Sequence, residues 1–205
     1  MIGHILQTAA NSKLFDTIHV STESHSVADV VQSLGHRIDF FRPDELADDH
    51  TPLMPVLRYV VETYAASGRH YDEVWLLMAC SPLIESDDLI GASEFFRFSG
   101  GQRSVMTVAQ YPAPVEWAYR RNDDGLLVPL RPEMLAVRSQ DINPTYFDTG
   151  SFCIYPASTV LKSEGAGDYS AYVGYLLPRQ KAIDIDSEED LQLAELIYFA
   201  ARQKA

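Results

Sequence analysis

The chain has 205 residues, 46% of them hydrophobic and 22% charged, with a formal net charge of −13. That describes one globular domain able to bury its own core, and the acid surplus excludes nucleic acid as a partner, because phosphate backbones are held by fields of Lys and Arg. No apolar run reaches the roughly 20 residues of a membrane span, and Cys80 and Cys153 sit in apolar runs (LLMAC, GSFCIY), as free thiols of a reducing cytoplasm do.

In chain order, residues 17–21 (TIHVS) form a β-branched run that predicts a strand. Residues 26–34 follow as a helix whose Val27, Val30, Val31 and Leu34 share one face, closed by Gly35. Residues 38–41 (IDFF) read as a second strand, and Pro55 opens a helix to about Ala66. The continuous apolar run at 74–79 (VWLLMA) has the pattern of a strand buried on both faces. Ser86 is the expected N-cap of a helix reaching about Phe98, and 104–110 (SVMTVAQ) make a further strand. Between 111 and 147 five prolines interrupt the pattern, and NDDG at 122–125 signals a hairpin between EWAYRR and LLVPL, so this stretch reads as an inserted β-arm. Strands at 149–155 and 182–185 and a helix at 187–203 complete the chain. The alternation predicts a three-layer α/β/α domain spanning 1–205, with a mostly parallel sheet and the arm inserted.

Two carboxylates stand out. Asp184 and Asp186 alternate along the last predicted strand, so both point to one side at its C-terminal end, where ligands of open α/β sheets bind. Two carboxylates plus substrate phosphate oxygens make an ordinary Mg²⁺ shell. Helix capping is the competing reading, with Asp186 and Glu189 at capping-box spacing. Ser81 lacks the Gly-x-Ser-x-Gly elbow of a nucleophile, and no Gly-x-Gly-x-x-Gly turn supports a dinucleotide-binding oxidoreductase.

Five segments in this order resemble the CMP-sialic acid synthetases and their relatives, the pseudaminic acid cytidylyltransferases: MIGHILQTAANSKLFDTIHVSTES, RPDELADDHT, LLMACSPLIESDDL, RSQD at 138–141 with YFDTGSF at 146–152, and AIDIDSEEDLQLAEL. The resemblance spans nearly the whole chain. It implies the nucleotide-diphospho-sugar transferase-like, Rossmann-like fold, and a homodimer built through the 111–147 arm. In that family an opening strand and a glycine- and lysine-rich phosphate loop precede the first matched segment. Their absence points to a misassigned start, a truncated chain or a non-catalytic relic.

The resemblance also implies roles. Asp184 and Asp186 become the Mg²⁺ ligands and the catalytic pair. Arg42 becomes a nucleotide contact, through the guanidinium fork that suits phosphate or ribose, with Ser21 and Thr22 beside it. Ser81 and Pro82 become the turn that brackets the cytosine. Met78 stands where sialic acid synthetases carry Gln, and a thioether cannot donate that amide's hydrogen bonds. Arg138, Gln140 and Asp148 become sugar contacts, against the alternative that they only hold the arm together. The implied reaction couples CTP to an acidic nine-carbon sugar and releases pyrophosphate. RSQD and YFDTG favour pseudaminic acid, while SFCIY departs from that branch, leaving N-acetylneuraminic and legionaminic acids open.

Overall fold

The computed structural model describes residues 1–168, 170 and 172–202. Helix α1 (Ile2–Ser12) buries Ile5, Leu6 and Ala9, and ends where Lys13 takes a left-handed conformation at φ 56°. Helix α2 (His25–Ser33) starts at Ser24, whose hydroxyl accepts the Val27 N–H at 3.4 Å. Helix α3 (Leu53–Ala66) carries Pro55 in its first turn, where a missing N–H costs nothing, rather than at its opening.

Strand β1 (Glu73–Leu77) leads through the 78–85 turn into α4 (Ser86–Phe98). The N-cap of α4 is Glu85, not Ser86: Glu85 and Asp88 form a reciprocal capping box, and Lys181 clamps both carboxylates at 2.6 and 2.7 Å. Next come β2 (Val105–Gln110), a hairpin of β3 (Tyr119–Arg121) and β4 (Leu127–Pro129), and β5 (Tyr146–Pro156). Helix α5 (Ala157–Lys162), strand β6 (Val173–Leu176) and helix α6 (Glu188–Arg202) finish the chain.

The main sheet has the order β1-β5-β2-β6. Strands β1, β2 and β6 run one way and β5 runs against them, so the sheet is mixed and its one parallel ladder joins β2 to β6. Alternation along β1 sends Trp75 and Leu77 to the face where Ile5, Leu89, Phe96 and Phe152 pack, and Val74 and Leu76 to the face of Met54, Leu57, Tyr155 and Val160. Helices α1 and α4 therefore cover one face and α3 and α5 the other, giving the expected three layers. The β3–β4 hairpin forms a separate two-stranded sheet, turning at Asn122–Gly125 as NDDG predicts.

Three predicted strands, at 17–21, 38–41 and 182–185, belong to no sheet among the described residues, and the second of them bends at residues 39–40. Strand β6 and helix α5 were not anticipated: β6 contains Gly174 and follows a glycine-rich loop, and α5 is a short helix directly after Pro156.

Candidate active site

A break in β5 organises the candidate residues. Met106 faces Cys153 and Val108 faces Asp148, so Thr107 alone spans residues 149–152 of β5. The bulge is pinned from below. Thr107 Oγ1 hydrogen-bonds the Phe152 carbonyl at 2.9 Å and accepts the Phe152 N–H at 3.2 Å, while the Thr149 and Thr107 hydroxyls meet at 2.8 Å, all of them buried. Bulges re-aim neighbouring side chains, and this one turns at Gly150, φ +63°.

Asp184 lies so close against Gly150 that a Cβ there would collide with its Oδ2. The Asp148 carboxylate accepts the Gly150 N–H at 3.0 Å, and the buried Ser81 hydroxyl donates to the Gly150 carbonyl at 3.4 Å. The Cys80 thiol hydrogen-bonds Asp184; burial first, then that carboxylate, push the thiol up to about 11, so it stays protonated and is no nucleophile at neutral pH. One glycine thus gathers Cys80 and Ser81 from the turn after β1, Asp148 from β5 and Asp184 from the segment before α6. Asp186 belongs to a different local arrangement. Its chain leads into α6, where Ser187 and Asp190 cap each other at 2.9 and 3.3 Å, in place of the Asp186–Glu189 pairing. Asp184 and Asp186 are both exposed, and among the described residues neither is in an ion pair.

Ser21, Thr22 and Arg42 meet beyond the end of β1. The Arg42 N–H donates to the Thr22 carbonyl at 2.9 Å, and the Arg42 guanidinium pairs with Glu23, whose carboxyl it holds below the usual range. Ser21 Oγ and Arg42 Nε are buried without partners. All three line a cavity of about 450 Å³, together with Met78 and Ala79, and among the described residues of that lining Arg42 is the only Lys or Arg. A separate cavity of about 580 Å³ lies by Tyr71, Gly100 and Pro156, past the start of β1, and holds none of the candidates.

The arm residues stand apart. Arg138 forks onto Asp141 at 2.9 and 3.4 Å within a single 3-10 turn, Ser139–Asp141, and Gln140 on the same turn is exposed. Among the described residues no hydrogen bond joins either to Asp148. Pro82 is half-buried in the turn between β1 and α4.

Sequence reading missed Cys80, Gly150 and Thr107. The DTGS stretch in the middle of an apolar strand is the signal that could have exposed Gly150, since an interior strand glycine marks a bulge or a close approach. Nothing local singles out Thr107.

The layered sheet, with its candidate groups at the strand ends, defines an α/β domain of the nucleotidyltransferase type. Solved structures share the fold. One is CMP:2-keto-3-deoxy-manno-octonic acid synthetase complexed with CTP, at TM-score 0.65 and 13% identity over 98% of this chain and 88% of that one. Another is 4-diphosphocytidyl-2C-methyl-D-erythritol synthase from Anaerococcus prevotii, at TM-score 0.59 and 12% identity over 100% and 86%. The chain belongs to the cytidylyltransferase family, whose profile matches residues 1–200. It is similar to a pseudaminic acid cytidylyltransferase of Campylobacter jejuni, 25% identical over 100% of this chain and 88% of the relative. It is also similar to a CMP-N,N'-diacetyllegionaminic acid synthase of Legionella pneumophila, 26% identical over 95% and 83%. No helix among the described residues is long and apolar enough to cross a membrane.

Proposed function

We propose that this cytidylyltransferase couples CTP to a nonulosonic acid, pseudaminic acid first, yielding the CMP-sugar and pyrophosphate. The observation that carries the reading is the convergence of Asp148, Gly150 and Ser81, from the segments YFDTGSF and LLMACSPLIESDDL, onto Asp184 of AIDID. The sugar's anomeric hydroxyl attacks the α-phosphorus of CTP, the new P–O bond forms in line as the bond to pyrophosphate breaks, and the hydroxyl proton goes to a base. Positioning and electrostatics carry such a displacement.

Asp184 and Asp186 would hold Mg²⁺, and the fit is reasonable. Both are exposed carboxylates without a Lys or Arg partner among the described residues, and two acids plus phosphate oxygens suit an ion that keeps most of its water. Bound there, the ion would neutralise charge on the phosphates. Gly150 and the Cys80 thiol fix Asp184; Ser21, Thr22 and Arg42 meet the nucleotide; Ser81 and Pro82 shape the base pocket; Asp148, Arg138 and Gln140 take the sugar. We place the reaction in the cytoplasm, in keeping with two unpaired cysteines, and expect a homodimer joined through the arm.

The test is Mg²⁺-dependent pyrophosphate release from CTP with pseudaminic, legionaminic and N-acetylneuraminic acids in turn. Release with pseudaminic acid at the highest kcat/KM supports the reading; a higher value for legionaminic acid moves the assignment to that branch. A second reading, a chain that keeps the fold without turnover, is favoured by the cavity lining, where Arg42, the one basic side chain among the described residues, is already paired with Glu23. It predicts no release with any of the three sugars from folded protein.

A further inference from the structure

Residues 81–88, between β1 and the first turn of α4, hold three separate parts of the chain. Ser81 donates to the Gly150 carbonyl at 3.4 Å, and Leu83 clusters with Ile183 and Ala194. Glu85 and Asp88 take the Lys181 ammonium at 2.6 and 2.7 Å. Gly150 is one side of the contact with Asp184, and Ile183 is the neighbour of Asp184 in sequence. Both sides of that contact are therefore registered against one turn. Residues 183–186 need such a mount. The 3-10 turn Arg179–Lys181 ends with the Ala182 N–H on the Arg179 carbonyl at 3.1 Å, and α6 begins only at Glu188. Among the described residues, 183–186 make no backbone-to-backbone hydrogen bond. Apolar contact at Ile183 is non-directional, whereas the charge-assisted bonds of Lys181 fix distance and direction. The Lys181 and Asp88 side chains are only 19% and 12% exposed, and Asp88 also accepts the Glu85 N–H at 2.8 Å. Without its cation Asp88 would keep a nearly buried, unpaired charge, so the clamp is held closed.

We propose that Lys181 is a positioning residue for Asp184. By bridging Glu85 and Asp88 it anchors residues 179–186 to the turn that also holds Gly150, and so sets the Asp184 carboxylate on Gly150. Lys181 touches no reacting group in this role; it acts through Asp184. The consequence for cation binding rests on the reading of Asp184 as a metal ligand, and the anchoring itself does not.

The chain has 11 glycines, so protein labelled with [15N]glycine gives a small set of amide resonances, and the one missing from G150A is Gly150. D184N shows how that resonance responds when the carboxylate is altered. K181M keeps the side-chain length and removes the charge. Without metal, it should move the Gly150 resonance in the direction D184N does and leave Gly35 and Gly68 in place, and K181R should bring Gly150 back. Mn²⁺ alone should broaden the wild-type Gly150 resonance saturably, and K181M should need about tenfold more of it. If K181M does not fold, E85Q takes its place. Glu85 is 69% exposed, and a Gln there can still accept the N–H that caps α4, so a smaller shift in the same direction is expected. A Gly150 resonance unmoved in the folded variant overturns the proposal, as does a shift that K181R leaves uncorrected. A metal-free shift with no broadening of wild type by Mn²⁺ supports the anchoring and removes the metal reading of Asp184.

Discussion

Gly150 illustrates how one backbone position fixes a candidate metal-binding carboxylate. Its φ of +63° is a conformation that costs an L-residue about 1–2 kcal/mol, and its missing side chain leaves the space that Asp184 occupies. Gly150→Ala should therefore lower stability by about that amount and displace the Asp184 carboxylate. The Mg²⁺ concentration for half-maximal pyrophosphate release should rise by roughly tenfold or more, with a smaller change in the KM for the sugar. A Mg²⁺ titration of the variant checks this; an unchanged Mg²⁺ requirement would remove Asp184 from metal binding. His19 carries a second prediction, about pH. Its ring stacks on Phe40 at 4.3 Å and its Nδ1 lies 3.2 Å from the Tyr64 hydroxyl. Burial lowers its pKa to about 4 against the partial opposition of Asp39. The unfolded chain takes up this proton near the ordinary 6.5, so stability drops as pH falls from about 6.5 to about 4 and levels off below. The loss should be about 1–2 kcal/mol after discounting for the ring's partial exposure. Asp39, held below the usual carboxylate range chiefly by the Tyr64 hydroxyl, loses its contribution at still lower pH and leaves the His19 window clear. His19→Gln should flatten the Tm profile across that window, as thermal melts at pH 7, 6, 5 and 4 would show.

Strand β5 carries its bulge because Thr107 supplies hydrogen bonds that a regular ladder would have supplied. Thr107→Val keeps the shape and removes the hydroxyl, so the Phe152 N–H and carbonyl lose their Thr107 partner in a buried site, while the Thr149 hydroxyl keeps the Thr107 carbonyl at 3.3 Å. A loss of about 1–3 kcal/mol is expected in denaturant melts, with faster amide exchange through 149–152. The same strand marks how far the sequence could be read. Apolar periodicity located α2, helix-start signals located α3 and α4, and apolar runs located β1, β2 and β5, because those patterns reflect burial against neighbours that are present. The runs at 17–21 and 38–41 have strand composition too; what they lack among the described residues is a bonded neighbour, which composition cannot report. Residues 17–21 and β1 both line the cavity of about 450 Å³ and form no ladder with one another. Strand β6 escaped notice because Gly174 weakens the pattern, yet that glycine allows close packing: a Cβ there would meet Val108 at 3.0 Å. The gathering of Cys80, Asp148 and Asp184 around Gly150 could not be read from spacing, since residues 80 and 184 are brought together only by the sheet order.

The whole molecule presents two apolar surfaces on an acidic body. On the hairpin and just after it, Leu126, Leu127, Val128 and Leu130 are 65%, 61%, 55% and 51% exposed, a contiguous stretch of the sort that marks an interaction site. On α6, Leu193, Leu196 and Phe199 recur at three-residue spacing on one side and are also exposed. A homodimer through the arm predicts that L127E/L130E turns a dimer into a monomer, while L196E/F199E leaves the dimer intact. L196E/F199E should not change the Tm by more than the equivalent of about 1 kcal/mol, because those side chains face solvent in the dimer as well, whereas L127E/L130E should lower the Tm at high protein concentration as the stabilisation by the partner copy is lost. Charge adds a signature of its own. Each copy carries −13, so two copies repel at long range, and screening that repulsion with salt should favour association. Sedimentation velocity from low salt to about 0.15 M should then show the dimer fraction rising with ionic strength at fixed protein concentration. A dimer held mainly by ion pairs would show the opposite trend. A monomer at every salt and concentration would show that the arm covers no second copy.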